Sequence, residues 1–154
     1  MAPLLKLLAA IRRSKPSTAA TPAASDHYGV SILLNVTTGP RGEYLNFFGY
    51  LDGQPLARAE VIGDGPLVLT IRASSAEEAA DLAFIIGNSF GADEHGLTWP
   101  GDLRVVSVGD VLSVVRPGHR STSHFAVASD QLRLIDTPTN IVPLLGSSAM
   151  TRTC

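Results

Sequence analysis

Cysteine, lysine and long apolar runs are scarce in this chain, and each scarcity excludes a class of protein. The one cysteine, Cys154, excludes an intramolecular disulfide framework and a multi-thiolate zinc site. No stretch approaches the roughly 18 consecutive apolar residues that predict a transmembrane helix. Lysine is absent after Lys15. We therefore expect a reducing, cytoplasmic setting without a metal centre built on thiolates.

Several motifs that mark common catalytic and nucleotide sites are also missing. The chain contains no Walker loop, no GxGxxG, no HExxH and no GxSxG nucleophile elbow. The sequence therefore disfavours nucleotide binding in its usual modes, and we expect no cofactor.

Charge is divided unevenly between a short N-terminal segment and the rest of the chain. Residues 1–25 contain Lys6, Arg12, Arg13 and Lys15 and no acid, whereas residues 26–154 contain 14 acids and eight arginines. The segment thus carries +4 and the body −6, within a net charge of −2. Because the body lacks the positive field that attracts phosphate backbones, we expect no sequence-independent nucleic-acid binding by it. The four basic residues are the candidates for phosphate or lipid contacts.

Residues 1–25 form a basic arm with an amphipathic pattern. Leu4, Leu7, Leu8 and Ile11 recur at helical spacing, and residues 14–25 form a linker rich in Pro, Ala, Ser and Thr. Four interpretations compete: a helix that docks on a membrane or partner, a signal peptide, a mitochondrial transit peptide, or a frayed arm without a task. The signal peptide fits worst, because basic residues interrupt and follow the apolar run.

The body has the composition of one folded α+β domain, which we place at residues 26–138. It is rich in apolar residues, at 45% of the chain, and only 17% are charged. Asp52-Gly53 and Asp64-Gly65 are typical hairpin dipeptides between runs of β-branched and aromatic residues. The first half is predicted to be an antiparallel meander of four strands, at residues 28–37, 43–51, 55–62 and 67–73.

One main helix is predicted at about residues 75–89, packed against the antiparallel sheet. Ser75 and Glu78 have capping-box spacing, and acids in the first turn favour the helix dipole. The apolar face is expected to combine residues at i, i+3 and i+4 spacing. Its members are Ala79, Leu82, Ala83, Ile86 and Phe90.

The second half begins with a long loop and continues with short strands. Residues 91–102 form the loop, and we expect Trp99 to anchor it. Residues 139–154 are predicted to be an irregular tail. The strands are predicted at residues 103–108, 111–115, 125–129 and 131–136.

Histidines and acids supply the candidates for chemistry. His95 lies beside Asp93 and Glu94, while His119 and His124 flank a turn. This spacing lacks the i, i+4 geometry of a helical metal site, so we expect no metal. Catalysis would need Asp110 with His124, or Ser123 with His124, but adjacent strand residues point to opposite faces. His95 and Trp99 remain candidate binding residues on the loop.

The second half also resembles a known group of small proteins. A helix ending at Asn88, an acidic and aromatic loop, and the run Ser107-Val108-Gly109-Asp110-Val111 are similar to YodL-like proteins of bacterial mobile elements, which carry a "SLSVGDV" strand. The resemblance covers about residues 76–136, although the closing strand has fewer aromatic residues than in that group. It implies a cytoplasmic accessory protein of a plasmid, phage or integrated element, and it transfers no catalytic residue.

Three hypotheses follow for the function. The first is a non-enzymatic interaction module that binds a protein partner through the sheet edge or the long loop. The second is a virion or assembly protein whose basic arm mediates subunit contacts, which would make the chain a homo-oligomer and place it in a virion. The third is a small hydrolase or nuclease-like enzyme that uses Asp110, His119 or His124 in a cleft around the loop at residues 91–102.

Overall fold

A computed structural model of the chain describes residues 26–43, 49–61 and 64–143. In these residues the chain forms an α+β structure in which strands dominate. It has one helix, α1 (Ala76–Gly87). The strands are β1 (Asp26–Asn35), β2 (Leu56–Arg58), β3 (Glu60–Val61), β4 (Gly65–Pro66), β5 (Val68–Ala73), β6 (Val111–Val115), β7 (Thr122–Val127), β8 (Leu132–Ile135) and β9 (Ile141–Val142).

The ten-residue strand β1 organises the main sheet. One of its edges pairs with β6, while the other pairs first with β5 and then, at Leu33–Asn35, with β2. The sheet therefore follows the order β8-β7-β6-β1-β2-β9, with β5 beside the first half of β1. All of these pairs are antiparallel except β2 with β9, which is parallel. The expectation of a purely antiparallel sheet is corrected to a mixed sheet.

Side-chain alternation gives the sheet two unequal apolar faces. Tyr28, Val30, Ile32 and Leu34 of β1 point into the larger core, which includes Phe84 of α1. The opposite face carries a smaller cluster made of Leu33, Tyr50, Leu56, Val111 and Ala126. The helix therefore covers one face of the sheet, and side chains of the chain's loops contribute to the other.

The predicted helix and its N-terminal cap are both confirmed. Ser75 is the N-cap, and its hydroxyl accepts the backbone N–H of Glu78 at 3.1 Å. The Glu78 carboxylate in turn accepts the backbone N–H of Ser74 at 3.0 Å and also the Ser74 hydroxyl. These reciprocal bonds satisfy donors that a helix end leaves unpaired.

The predicted apolar face of the helix is right in most positions. Ala79, Ala83 and Ile86 are buried, and Leu82 is partly buried against the core. The prediction that Phe90 belongs to this face is wrong, because the helix ends at Gly87 and the Phe90 side chain lies beyond it, 56% exposed. Phe84, which the prediction did not include, is fully buried instead.

The predicted four-stranded meander is wrong, although its first and last strands exist as β1 and β5. The Asp52-Gly53 turn is present, with the N–H of Gln54 donating to the carbonyl of Leu51 at 3.0 Å and Gly53 at φ 88°. Residues 49–51 nevertheless form no strand, and residues 44–48 of that prediction lie outside the described residues. The strand predicted at 55–62 is interrupted at Ala59: its N–H still donates to the carbonyl of Ile32 on β1 at 2.8 Å, but its carbonyl accepts the N–H of Leu67 at 2.9 Å.

The strand predicted at residues 103–108 is also wrong. The backbone of this segment bonds to the end of α1 and to its own turn: the N–H of Val106 donates to the carbonyl of Gly87 at 3.0 Å. Val106 is fully buried, so the apolar pattern of this segment predicted its burial correctly. Because the backbone partners lie on a helix end, the segment does not join the sheet.

The last part of the chain follows the predictions more closely. The predicted strand at residues 111–115 is confirmed as β6, while β7 begins three residues earlier than predicted, at Thr122. The strand predicted at 131–136 is β8. The tail predicted to be irregular contains β9, whose Ile141 and Val142 pair with Leu56 and Ala57.

Candidate functional site

Asp110 holds a buried carboxylate immediately before β6, with no exposed surface. Its Oδ1 accepts the backbone N–H of Asn35 and Nη2–H of Arg104, both at 2.7 Å. Its Oδ2 accepts Nη1–H of Arg104 at 2.7 Å and the backbone N–H of Ser107 at 2.8 Å. Arg104 thus binds the carboxylate in a bidentate fork. We call these four residues the Asp110 network.

Asn35 extends the network to neighbouring segments. Its Nδ2 donates to the carbonyl of Gly109 at 3.0 Å and to Oε1 of Gln54 at 2.9 Å. Its Oδ1 accepts the backbone N–H and the hydroxyl of Thr37, at 3.0 and 2.6 Å. The last residue of β1 is therefore bonded both to the approach to β6 and to the loop before β2.

The Asp110 network is suited to holding the fold together rather than to catalysis. Four donors already occupy the carboxylate oxygens of Asp110, and the guanidinium of Arg104 balances its charge. A general acid or base needs an oxygen or proton that faces a substrate. Buried polar groups that are bonded to several segments in this way rigidify a junction.

The Ser107–Val111 motif behind the family resemblance has a structural account in these bonds. Gly109 lies at φ 99°, where a side chain would be strained, and the N–H of Asp110 donates to the carbonyl of Ser107 at 3.1 Å. The Asp110 carboxylate closes the same turn on the N–H of Ser107. The motif makes a tight turn into β6.

The three catalytic candidates lie apart. Asp110 precedes β6, whereas His119 lies exposed in the turn that follows it, and the five residues of β6 span roughly 17 Å. His124 lies opposite Ser113, three positions along the sheet from Asp110, or roughly 10 Å. The structure therefore brings neither His119 nor His124 to the Asp110 carboxylate. Ser123 and His124 are adjacent in β7 and point to opposite faces of the sheet.

His124 is a buried strand residue between two neighbours. It lies opposite Ser113 on β6 and Ile135 on β8. Desolvation by burial lowers the pKa of His124 below its ordinary value. Burial therefore favours the neutral form of the ring, which lies on the sheet face opposite α1.

The loop at residues 91–102 is fixed by Trp99 and Asp93. Trp99 is buried and donates from Nε1 to the carbonyl of Arg104 at 3.0 Å, which confirms the predicted anchor. Burial opposes ionisation of Asp93, but backbone N–H groups of Thr70, Leu97 and His95 bond its carboxylate and hold its pKa below the ordinary value. His95 itself is exposed.

Other predicted site residues have no assigned place. Lys6, Arg12, Arg13 and Lys15 lie outside the described residues. Within residues 26–43, 49–61 and 64–143, no group of three or more His, Cys, Asp or Glu side chains is arranged to hold a metal ion.

A pocket of about 400 Å³ lies where α1 begins, between Ser74 and the turn after β6. Its Arg116 is already paired with Asp26 at 2.8 Å, and the Glu78 carboxylate occupies the helix end. Arg116 and the N-terminal end of α1 are therefore already bonded within the protein.

In the described part of the chain, β8 lies at one end of the main sheet. β8 is the first strand in the sheet order and pairs only with β7 among the described strands. Its Leu134 is 67% exposed, the largest fraction among the exposed large apolar side chains of the described residues. By contrast, the loop covers part of the outer edge of β5, since the N–H of Glu94 donates to the carbonyl of Thr70 at 3.0 Å. We call the outer side of Leu132–Ile135 the β8 edge.

A groove of about 530 Å³ runs beside the β8 edge. Burial, reinforced by the nearby Asp52 charge, raises the pKa of Tyr50 above its ordinary value, so its hydroxyl stays protonated at neutral pH. The groove thus combines one aromatic ring with charged and apolar side chains. Its lining residues are Tyr50, Asp52, Thr122, Ser123, Arg133, Leu134, Ile135 and Asp136.

Sequence patterns did not identify the β8 edge or the partner of Asp110. The strand β8 was predicted, but strand order is set by pairing between distant residues. Leu134 and Ile135 both lie between Arg133 and Asp136 in the sequence, and this pattern does not show which strand lies at the edge of the sheet. Arg104 is the basic residue that precedes the Ser107–Val111 motif by a few positions, and this could have identified it as the partner of Asp110.

Comparisons with known proteins do not identify a family: no protein-family model, no curated protein and no solved structure matches the chain. In the part of the chain that the structure describes, no helix is long and apolar enough to cross a membrane.

Proposed function

We propose that this protein is a non-enzymatic interaction module that binds a protein partner by accepting an extended segment on the β8 edge. The observation that carries the proposal is the exposed edge itself, with Leu134 standing 67% exposed beside a groove. Such an edge is a ready template for another strand, and proteins commonly cover it. Strand addition uses main-chain hydrogen bonds for affinity and neighbouring side chains for specificity.

Hydrogen-bond alternation supports the β8 edge as a template. The N–H of Ala128 donates to the carbonyl of Gln131 at 2.9 Å, which closes the β7–β8 hairpin. Counting from this bonded pair, Arg133 and Ile135 direct their backbone groups toward β7. The backbone groups of Leu132 and Leu134 therefore point outward, and neither residue makes a hydrogen bond to a side chain in the described part of the chain.

The separation of Asp110, His119 and His124 supports a binding role over an enzymatic one. A cleft enzyme of the kind considered above would bring at least two of these side chains within hydrogen-bond reach. Asp110 is instead committed to Arg104, Asn35 and Ser107. An origin in a plasmid, phage or integrated element is part of the proposal only through the resemblance of residues 76–136 to YodL-like proteins.

The test is a peptide-display selection against the full-length chain, followed by binding measurements on two variants. Leu134→Pro removes one outward N–H without removing a bond to β7, because proline is tolerated where a strand N–H faces solvent. Phe90→Ser is the matched control, since Phe90 is another exposed large apolar residue away from the sheet edge. We expect Leu134→Pro to weaken binding of the selected peptides at least tenfold and Phe90→Ser to leave it unchanged.

Nuclear magnetic resonance of the same complexes locates the binding. Peptides should shift the amide signals of Leu132 and Leu134 more than those of Arg133 and Ile135. Selected peptides that bind wild type and Leu134→Pro equally well, or that shift the loop around His95 instead, would contradict the proposal.

A further inference from the structure

We infer that the strand accepted by the β8 edge is β8 of a second copy of this chain, paired antiparallel about a two-fold axis. The inference rests on the proposed function and names its partner. It depends on which backbone groups face outward, on which side chains would then meet, and on the charges of the segment.

Symmetry restricts the possible registers. In a two-fold pair whose axis is perpendicular to the sheet, each face of one copy continues into the same face of the other. Residues that lie opposite each other must therefore share a face, so the two residue numbers of a pair have an even sum. The outward backbone groups of Leu132 and Leu134 then form the bonded pairs, as antiparallel alternation requires.

Side-chain chemistry selects one of these registers. With Leu134 opposite itself, the Leu134 side chains of the two copies cover each other on the face shared with Phe125, and Leu134 is the most exposed large apolar residue of the described chain. In that register Leu132 lies opposite Asp136 of the second copy, and Arg133 lies opposite Ile135. A shift by one pair in one direction would place Arg133 opposite itself, and like charges directly opposite are destabilising. The opposite shift would place Leu134 against Asp136.

Charge does not oppose this pairing. The segment at residues 131–137 contains one arginine, Arg133, and one acid, Asp136, so its net charge is zero. The whole chain carries only −2. A contact confined to one short strand is small, and small interfaces are weak and transient. We expect a dimer with a micromolar dissociation constant and little dependence on salt.

Other exposed edges are less suited to a second copy. β9 has two residues, and the loop bonds to Thr70 on the outer side of β5. Among the described strands with an open outer edge, the four-residue β8 therefore offers the longest run that carries an exposed apolar side chain at its centre.

The experiment combines sedimentation velocity with site-specific disulfide formation in the full chain. Wild type should form dimers at rising concentration. Leu134→Lys should raise the dissociation constant of the dimer at least tenfold, because it places two positive charges opposite each other. Phe90→Ser should behave as wild type. Thermal unfolding of Leu134→Lys, whose side chain is exposed, verifies that the variant folds.

Disulfides test the register. In a Cys154→Ser background, Leu134→Cys should oxidise to a covalent dimer, because directly opposite Cα atoms lie within disulfide reach. Leu132→Cys should not, because each copy's Leu132 lies opposite Asp136 rather than itself. Efficient oxidation of Leu132→Cys, or a dimer that persists in Leu134→Lys, would overturn the inference.

The result also separates this inference from the proposed function. A chain that stays monomeric at every concentration, with Leu134→Cys unoxidised, refutes the second copy as the partner. If selected peptides still lose affinity for Leu134→Pro in that case, the β8 edge binds a foreign strand and the proposed function stands. If the selected peptides bind Leu134→Pro as tightly as wild type, the proposed function and the inference of a second copy both fail.

Discussion

Replacing Asp110 with asparagine is expected to destabilise the protein severely without changing its shape. The amide has nearly the size of the carboxylate, but it carries no charge and one of its two acceptor oxygens becomes a donor. That donor would face the N–H groups of Arg104 or Ser107. The variant therefore loses hydrogen bonds and leaves the Arg104 cation without its counter-ion.

The magnitude follows from burial. Removing one partner of a buried ion pair typically costs about 3–5 kcal/mol. Because the Arg104 side chain is 18% exposed and keeps some access to water, we expect the lower part of that range, about 3 kcal/mol. For a domain of this size the melting temperature should fall by roughly 10 °C.

Urea unfolding followed by the fluorescence of Trp99 measures this change directly, since Trp99 is the one tryptophan and is buried. With a slope of about 1–3 kcal/mol per molar urea, the midpoint should fall by more than about 1 M. Asp130→Asn is the matched control, because Asp130 is exposed in the β7–β8 turn. If the free energies of unfolding of the two variants differ by less than about 1 kcal/mol, the Asp110 network does not stabilise the fold as described.

Three further changes test other parts of the structure. Burial and the charges of its helical neighbours raise the pKa of Asp81 to about 6, above its value in the unfolded chain. Ionisation of Asp81 therefore disfavours folding above that pH. We expect Asp81→Asn to raise the urea midpoint at pH 8 and not at pH 4. Burial lowers the pKa of His124 in the folded protein. Its contribution to stability is therefore present above the pKa that histidine has in the unfolded chain, and it is lost as the pH falls. We expect His124→Phe to lose less stability than wild type between pH 7 and 5. Gly87→Ala should cost about 1–3 kcal/mol in a melting experiment, because the added Cβ would overlap Val106, and Val106→Ala in the same chain should recover part of the loss. Equal behaviour of variant and wild type in any of these measurements would remove the corresponding argument.

Elements with strong local signals could be predicted from the sequence. The helix was found because Ser75 and Glu78 form a cap within four residues of each other, and β6 because a run of β-branched residues follows a Gly-Asp step. Boundaries failed where a bond to a distant residue decided them. The carbonyl of Ala59 accepts the N–H of Leu67, and the N–H of Val106 donates to the carbonyl of Gly87.

The candidate site was less predictable for the same reason. The sequence predicts Asp110 as a catalytic candidate, whereas the bond that its carboxylate accepts from the backbone of Asn35 spans 75 positions. Strand order likewise depends on pairs that no local window contains, so the exposure of Leu134 could not be derived. Trp99 was predicted correctly because a single aromatic residue in a polar loop usually packs.

The central position of β1 also determines when the protein can fold during synthesis. β1 is the first described strand, yet its partners β5 and β6 end at Ala73 and Val115. Until those residues have been translated, most of β1 lacks its paired strands, because β2 bonds only to its last residues, Leu33–Asn35. Structures dominated by such distant pairs fold slowly, because a long loop must close before its contacts stabilise it. One edge of β1 therefore stays unpaired until Val115 has been translated, and we expect truncated products that stop before Val115 to aggregate or recruit chaperones.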